Sequence, residues 1–309
     1  MASKVSVVTG GNKGIGYAIC KGLAGQVGGT VILTARSEKR GLAAVVKLKE
    51  EGCECVYEQL DITDTYSIVR FKERVTNYYG GIDILCNNAG IAYKCASTAP
   101  LMEKATVTME TNLVGTRDVT NSLLPLMKVG GRVCHVSSMC GILDRMWPDK
   151  RHPIRLSLLS EKLTEEAIMK IMRDYYTAVD CNDYKYFKKD SAYSLSKVLL
   201  TALTRVQARL IKSDPRNILI NCCCPGYVDT DMSSHKGPLT IDEGAATPLM
   251  VCQLVQGCNI SGEFFREMKH FNWEGDCYYH KQHIRNNDPS EHFDDYQKLL
   301  GAGYHVITN

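Results

Sequence analysis

Tyr193 and Lys197 lie four residues apart in "SAYSLSK" (191–197). On a helix that spacing puts both side chains on one face, a turn apart. A free tyrosine, with a pKa of about 10, is a poor base and a sluggish acid at neutral pH. An ammonium within ~4–6 Å stabilises the phenolate by about 1–3 pKa units. Tyr193 could then deliver a proton to a carbonyl oxygen while hydride arrives at the carbon. Ser138, in "VSS" (136–138), could hold that oxygen. Asn112, in "METNLVGT" (109–116), could anchor a water for proton relay.

Hydride must come from a carrier, and the N-terminal region has the pattern of a dinucleotide site. "TGGNKGIG" (9–16) follows a short apolar run and opens a helix-period segment. Gly10, Gly14 and Gly16 permit a tight turn, close approach of a pyrophosphate and close helix packing, and the helix N-terminus faces the anion. Asn12, Lys13 and Ile15 fill the turn. An NAD site places an acid at the end of the second strand, to accept from the ribose hydroxyls. Here "LTARSEKR" (33–40) has Arg36 and no acid before Glu38. A guanidinium suits a 2′-phosphate, and Lys13 adds a second positive charge nearby. The expected cofactor is NADPH.

These residues need a scaffold that gathers them. The runs 5–10, 31–36, 55–61, 82–90, 131–138 and 218–226 each read as a buried strand ending in polar or glycine residues, and a seventh is expected near "GEFF" (262–265). Between strands, Ile68, Phe71, Val75 and Tyr78 follow helical spacing, and Ser37 or Asp64 could cap helices. Such alternation implies an α/β fold, a doubly wound parallel sheet of the Rossmann type with about seven strands. Ligands of such sheets bind at the carboxyl ends of the strands. The glycine turn, Arg36, Asp61, "NNAG" (87–90), the paired serines and "PG" (225–226) all fall there.

The 309 residues are expected to form a single domain, and a net charge of +3 gives no reason to invoke nucleic acid or an anionic membrane. No secretory signal and no membrane-length apolar run is read, so the expected compartment is the cytoplasm. None of the 14 cysteines forms a CxxC pair. The consecutive Cys222, Cys223 and Cys224 read as small buried hydrophobes, and no metal is assigned; Cys277, His280 and His283 in the tail do not fit a familiar zinc spacing.

Taken in order, "TGxxxGxG", "NNAG", the Asn112 region, "VSS", "YxxxK" and "PGYVDT" (225–230) resemble the short-chain dehydrogenases/reductases over about residues 4–273. The resemblance implies that Asn112, Ser138, Tyr193 and Lys197 form a catalytic tetrad, with Ser137 structural. It implies that Asp61, its neighbour Ile62 and Asn88 hold the adenosine half of the cofactor. Val228 and Thr230 match the loop beside nicotinamide and pyrophosphate, and Tyr193 and Lys197 also reach the nicotinamide ribose. Most members separate serine and tyrosine by about a dozen residues; here 55 positions separate them.

The insertion (about 143–190) carries a stripe of Ile168, Ile171, Met172, Tyr175 and Val179. With "GTRDV" (115–119), it makes the chain similar to the monomeric NADPH-dependent carbonyl reductases, which reduce ketones, aldehydes and quinones. Tyr227 stands where close relatives have tryptophan. Met139, Tyr93 and Tyr227, with Ser138, are the expected substrate contacts. The rival readings are a narrow-specificity alcohol or hydroxysteroid dehydrogenase and a non-catalytic NADPH sensor. The insertion is expected to cover the helix pair that other members use to oligomerise, leaving a monomer. In the tail (about 274–309), the spacing over 290–300 reads as a helix that either docks at the pocket rim or rests elsewhere on the surface.

Overall fold

A computed structural model describes residues 4–94, 96–255 and 257–275. The apolar runs form parallel strands β1 (Val5–Val8), β2 (Thr30–Ala35), β3 (Val56–Gln59), β4 (Ile82–Asn87), β5 (Met127–Val136), β6 (Leu219–Cys224) and β7 (Phe264–Arg266). Among the described residues the sheet has eight strands in the order β3-β2-β1-β4-β5-β6-β7-β8. Strand order reverses between β1 and β4, the switch point at which doubly wound sheets open a ligand crevice.

The eighth strand, β8 (Lys269–His270), pairs antiparallel with β7. The sequence reading missed it because Glu267 and Met268 turn the chain with φ of 52° and 58°. Tight hairpins of this kind are usually signalled by glycine or asparagine, and neither is present.

Helices α1 (Gly14–Gln26) and α2 (Glu38–Glu50) follow β1 and β2, and α3 (Thr65–Arg74) follows β3. Asp64 caps α3 by accepting from the Tyr66 N–H at 2.9 Å, whereas Ser37 stands before α2 without a side-chain capping bond. Ile68, Phe71 and Val75 are buried as their spacing requires. Tyr78 is not: a π-turn over Val75–Tyr79 inserts a residue and rotates the stripe. Tyr79 turns inward instead, donating to Glu58 at 2.9 Å, and Tyr78 stays exposed.

Helix α4 (Leu101–Met109) runs through a π-turn (Glu110–Gly115) into α5 (Thr116–Leu123). The insertion folds as α6 (Leu143–Met146), α7 (Pro153–Leu159) and α8 (Glu165–Asp180), the last capped by Thr164 accepting from the Ala167 N–H. Ile168, Ile171, Met172 and Tyr175 are buried and Val179 is partly buried. This stripe packs on α4 and on the long helix α9 (Ala192–Leu210). At its base the fully buried Arg155 bridges Asp144 at 2.7 Å and Glu274 at 3.3 Å, tying residue 274 to the insertion.

On the other face α10 (Ile241–Cys252) packs on α1, β5 and β6. Residues 276–309, which include the expected tail helix and Cys277, His280 and His283, lie outside the described residues.

Candidate active site

All six polar strand ends meet at the carboxyl edge of the sheet. After β1 the backbone turns through Gly10 and Gly14, with φ of 65° and 56°, which glycine adopts without strain. A Cβ on Gly16 would lie 2.4 Å from the Gly10 carbonyl oxygen and 2.4 Å from Asn88 Nδ2, so a side chain there would close the turn. Asn88 buttresses it by donating from Nδ2 to Thr9 O at 3.0 Å and Gly10 O at 3.3 Å. Thr9 Oγ1 accepts from the N–H groups of Asn88 and Ala89.

No side chain caps α1 and its first turn carries no acid, so its N-terminal N–H groups are left for an anion. Thr230 leans over Gly14, its methyl 3.4 Å from where a Cβ would stand. Val228 is buried against Gly244 and pairs with Leu239, which anchors that loop. These features fit the pyrophosphate of a dinucleotide.

Ile62, buried at the end of β3, has its carbonyl packed against Gly115. Asp61 accepts from the Thr63 N–H and hydroxyl, which fixes its carboxylate at the rim. Arg36 is exposed beyond β2 and has no ion-pair partner among the described residues. Lys13, expected to join it, is held by Asp231 at 2.5 Å, an exposed pair.

The catalytic side of the crevice is built differently. Asn112 sits in the π-turn after α4, fully buried. Its Oδ1 accepts from the Ile91 N–H at 2.8 Å, and its Nδ2 donates to Ile91 O at 2.9 Å and Ser196 Oγ at 3.0 Å. Most of its bonding capacity therefore fixes the loop segment that follows "NNAG". A Cβ on Gly90 would lie 3.2 Å from Asn112 Oδ1 and 3.6 Å from Lys197 Nζ, so both face the same glycine.

Lys197 is buried, its Nζ donating to Val136 O at 2.8 Å. Its ammonium stands 5.9 Å from the Tyr193 ring centre. Burial pulls the lysine down to about 8. Ser138 accepts from the Cys140 N–H at 3.1 Å, which orients it at the end of β5. Ser137 is buried and bonds to Lys197 O and Thr201, a structural role as expected.

Burial pushes Tyr193 up to about 12, and the neighbouring Ser138 hydroxyl acts in the lowering direction. A tyrosine raised in this way is protonated at neutral pH. Desolvation by the surrounding protein outweighs an ammonium that already serves a carbonyl.

The substrate side is less enclosed. Tyr93, Ile91, Ala92, Lys94, Ala96 and Ser97 line a shallow cavity of about 430 Å³ next to the backbone that Asn112 holds. Tyr93 donates to Glu103 at 3.0 Å. Met139 packs partly buried against the core, its N–H donating to Cys224 Sγ, while Tyr227 is exposed beyond β6. A larger cavity of about 630 Å³ lies at the opposite end of β6, along α9, and none of the expected site residues lines it.

Sequence reasoning missed Ser196 and Thr9. Ser196 accepts from Asn112 and donates to Tyr193 O at 2.7 Å, joining two members of the constellation. A serine three residues after the tyrosine, on an otherwise apolar helix face, was the signal available.

The short chain dehydrogenase family model matches residues 4–147. The chain is 41% identical over 278 residues to carbonyl reductase [NADPH] 1 of Bos taurus, covering 87% of this chain and 98% of that protein. The chain belongs to the short-chain dehydrogenases. Carbonyl reductase [NADPH] 3 of Mus musculus is 41% identical over 256 residues, covering 82% of this chain and 91% of that one. Among solved structures, salutaridine reductase from Papaver somniferum superposes with a TM-score of 0.76 at 30% identity, covering 85% of this chain and 99% of the other. Menthone neomenthol reductase from Mentha piperita gives 0.72 at 29% identity, covering 86% and 99%. The carboxyl-edge crevice of the present chain combines a glycine-lined cradle with buried Asn112 and Lys197 and half-buried Ser138 and Tyr193.

Proposed function

We propose that this short-chain dehydrogenase is an NADPH-dependent carbonyl reductase that converts ketones, aldehydes and quinones to alcohols. The observation that carries the reading is the convergence of Lys197 and Asn112 on Gly90, with the Lys197 ammonium 5.9 Å from the Tyr193 ring centre, beside a glycine turn that fits a pyrophosphate. Gly10, Asn12, Lys13, Gly14, Ile15 and Gly16 would hold the pyrophosphate with Val228 and Thr230. Arg36 would meet the 2′-phosphate, Asp61, Ile62 and Asn88 the adenosine half, and Tyr193 and Lys197 the nicotinamide ribose. The bound coenzyme supplies the hydride.

The chain's own groups handle the proton. Ser138 donates a hydrogen bond to the substrate oxygen and orients it. Tyr193 Oη, protonated at neutral pH, donates its proton to that oxygen as charge develops there. The Lys197 ammonium opposes the cost of the resulting phenolate. Asn112 fixes Ile91 and, through Ser196, the start of α9, and its remaining Oδ1 lone pair could hold a relay water. Met139, Tyr93 and Tyr227 border the substrate.

The α8 stripe covers α9 and α4, which supports a monomer. No helix among the described residues is long and apolar enough to cross a membrane.

NADPH oxidation measured across quinones, aromatic aldehydes and keto-steroids tests this. Turnover of chemically unrelated carbonyls is expected. Activity confined to one steroid or alcohol would replace the broad reading with the narrow one, and tight NADPH binding without any turnover would make the protein a sensor.

A further inference from the structure

The face of the sheet under α10 contains a group of thiols that the reduction chemistry does not use. Cys86 from β4, Cys134 from β5 and Cys252 from the last turn of α10 have their three Sγ atoms within 4.8 Å of one another. All three are fully buried, in a core cluster with Ile19, Leu33, Leu249 and Phe265. Cys223, on β6, has its Sγ 3.6 Å from that of Cys134 but is not within the same mutual limit as the other three. The spacing is close to that of a ligand set. A pyramidal three-coordinate centre bound by sulfur at about 2.3 Å needs its sulfurs roughly 3.3–3.5 Å apart, so closing movement of up to about 1.5 Å is required.

Charge selects the occupant. Three thiolates carry three negative charges, and the site is shut off from water inside an apolar cluster. A monovalent ion would leave two uncompensated charges and a divalent ion one, each heavily penalised by burial. A trivalent centre leaves none. The centre must also be content with three sulfurs, because Cys223, although beside Cys134, is not within the same mutual reach of Cys86 and Cys252. It must arrive uncharged, because the path leads through apolar core. Arsenous acid meets all three demands: it is thiophilic, uncharged at neutral pH, and completes its valence with three bonds and a lone pair.

We propose that Cys86, Cys134 and Cys252 form a binding site for trivalent arsenic. Three S–H and three As–O bonds break, three As–S and three O–H bonds form, and three waters leave. Nothing is oxidised or reduced and no net proton is released. Because α10 must lift from the sheet to admit the ligand, uptake is slow and release slower. The product joins β4 and β5 to α10, closing loops through the sheet that carries Asn88 and Ser138 at its edge. Sequence spacing gave no hint of this, since the three ligands come from three separate elements, 48 and 118 positions apart.

The test uses the full-length folded protein, sodium arsenite as the probe, and dialysis against excess monothiol. Native mass spectrometry is expected to retain one arsenic per chain with loss of three hydrogens, and arsenic-edge X-ray absorption to give three As–S contacts and no As–O. The unfolding temperature should rise with arsenite. Cys252→Ala leaves only two thiols and should retain arsenic more weakly by at least about tenfold, with no rise in unfolding temperature. Cys181→Ser, at an exposed position, should behave as the parent. If Cys252→Ala folds poorly, judged by NADPH binding, Cys134→Ala replaces it with the same expectation. Arsenic bound through two sulfurs and one oxygen, undiminished retention in both buried variants, or no retention at all would overturn the assignment. Stoichiometric zinc retention at the same three cysteines would overturn the charge argument on which it rests.

Discussion

The two sides of the crevice are made of different materials. The coenzyme side is backbone: glycine turns, an uncapped helix N-terminus, and charged side chains (Lys13, Arg36, Asp231) that stand in solvent. The catalytic side is buried side chains: Asn112 and Lys197 are enclosed, and Tyr193 and Lys197 have pKa values moved by desolvation. Solvated charges are screened, so each contributes modestly and can be exchanged at little cost to the fold. Buried charges act strongly and burden the fold in proportion. In the proposed assignment, coenzyme choice is therefore the adjustable property of this site, and proton chemistry the fixed one.

Substitutions should separate the two. The largest effect is expected from Tyr193→Phe, which removes one hydroxyl and nothing else. Carbonyl reduction should fall by about 10²–10⁴ or more while NADPH still binds. Near-normal turnover, measured at saturating NADPH, would sink the acid role.

Lys197→Met should cost activity and raise stability together. A lysine brought from 10.5 to about 8 by burial disfavours the folded state at pH 7 by up to about 3 kcal/mol; removing it should recover ~1–3 kcal/mol in urea unfolding, less the loss to the orphaned Val136 carbonyl. The sign follows from proton binding. Between about 8 and 10.5 the unfolded chain holds the proton and the folded chain does not, so parent stability rises with pH across that window. Tyr193 acts oppositely: its folded pKa of about 12 exceeds the free value of 10, so its contribution is lost as pH climbs from about 10 to 12. Reductase activity should decline as pH passes about 8 and Lys197 loses its charge, while Tyr193 is still protonated. A flat activity profile from pH 7 to 10 would remove Lys197 from the mechanism.

Arg36→Asp addresses the solvated side. Preference for NADPH over NADH should drop by about tenfold or more, with turnover on saturating coenzyme and unfolding midpoint nearly unchanged. An unaltered preference would put the 2′-phosphate elsewhere.

The smallest effect is expected from Asp231→Asn, which releases Lys13 from an exposed ion pair. NADPH affinity should improve by no more than about threefold, and the gain should vanish in high salt. A large gain, or one that persists in salt, would mean that Lys13 is held more firmly than a solvated pair allows.

The sequence by itself determined the layout. Strand–helix alternation fixed the parallel sheet, and the placement of polar residues after six apolar runs fixed which edge carries the site, because strand ends in such a sheet must converge. The α8 stripe and the glycine turn were legible for the same reason: each is a local pattern with one physical reading. The tertiary structure alone decided what depends on meetings between distant segments. The Glu267–Met268 hairpin, the π-turn that exchanges Tyr79 for Tyr78, and the pairing of Lys13 with Asp231 could not be read from spacing. Nor could the direction of the Tyr193 shift. Tyr193 and Lys197 are neighbours in any helix, but how much protein closes over them depends on β5, the 138–141 turn and α9 together. Periodicity reports which face a residue takes; desolvation depends on everything that packs against that face.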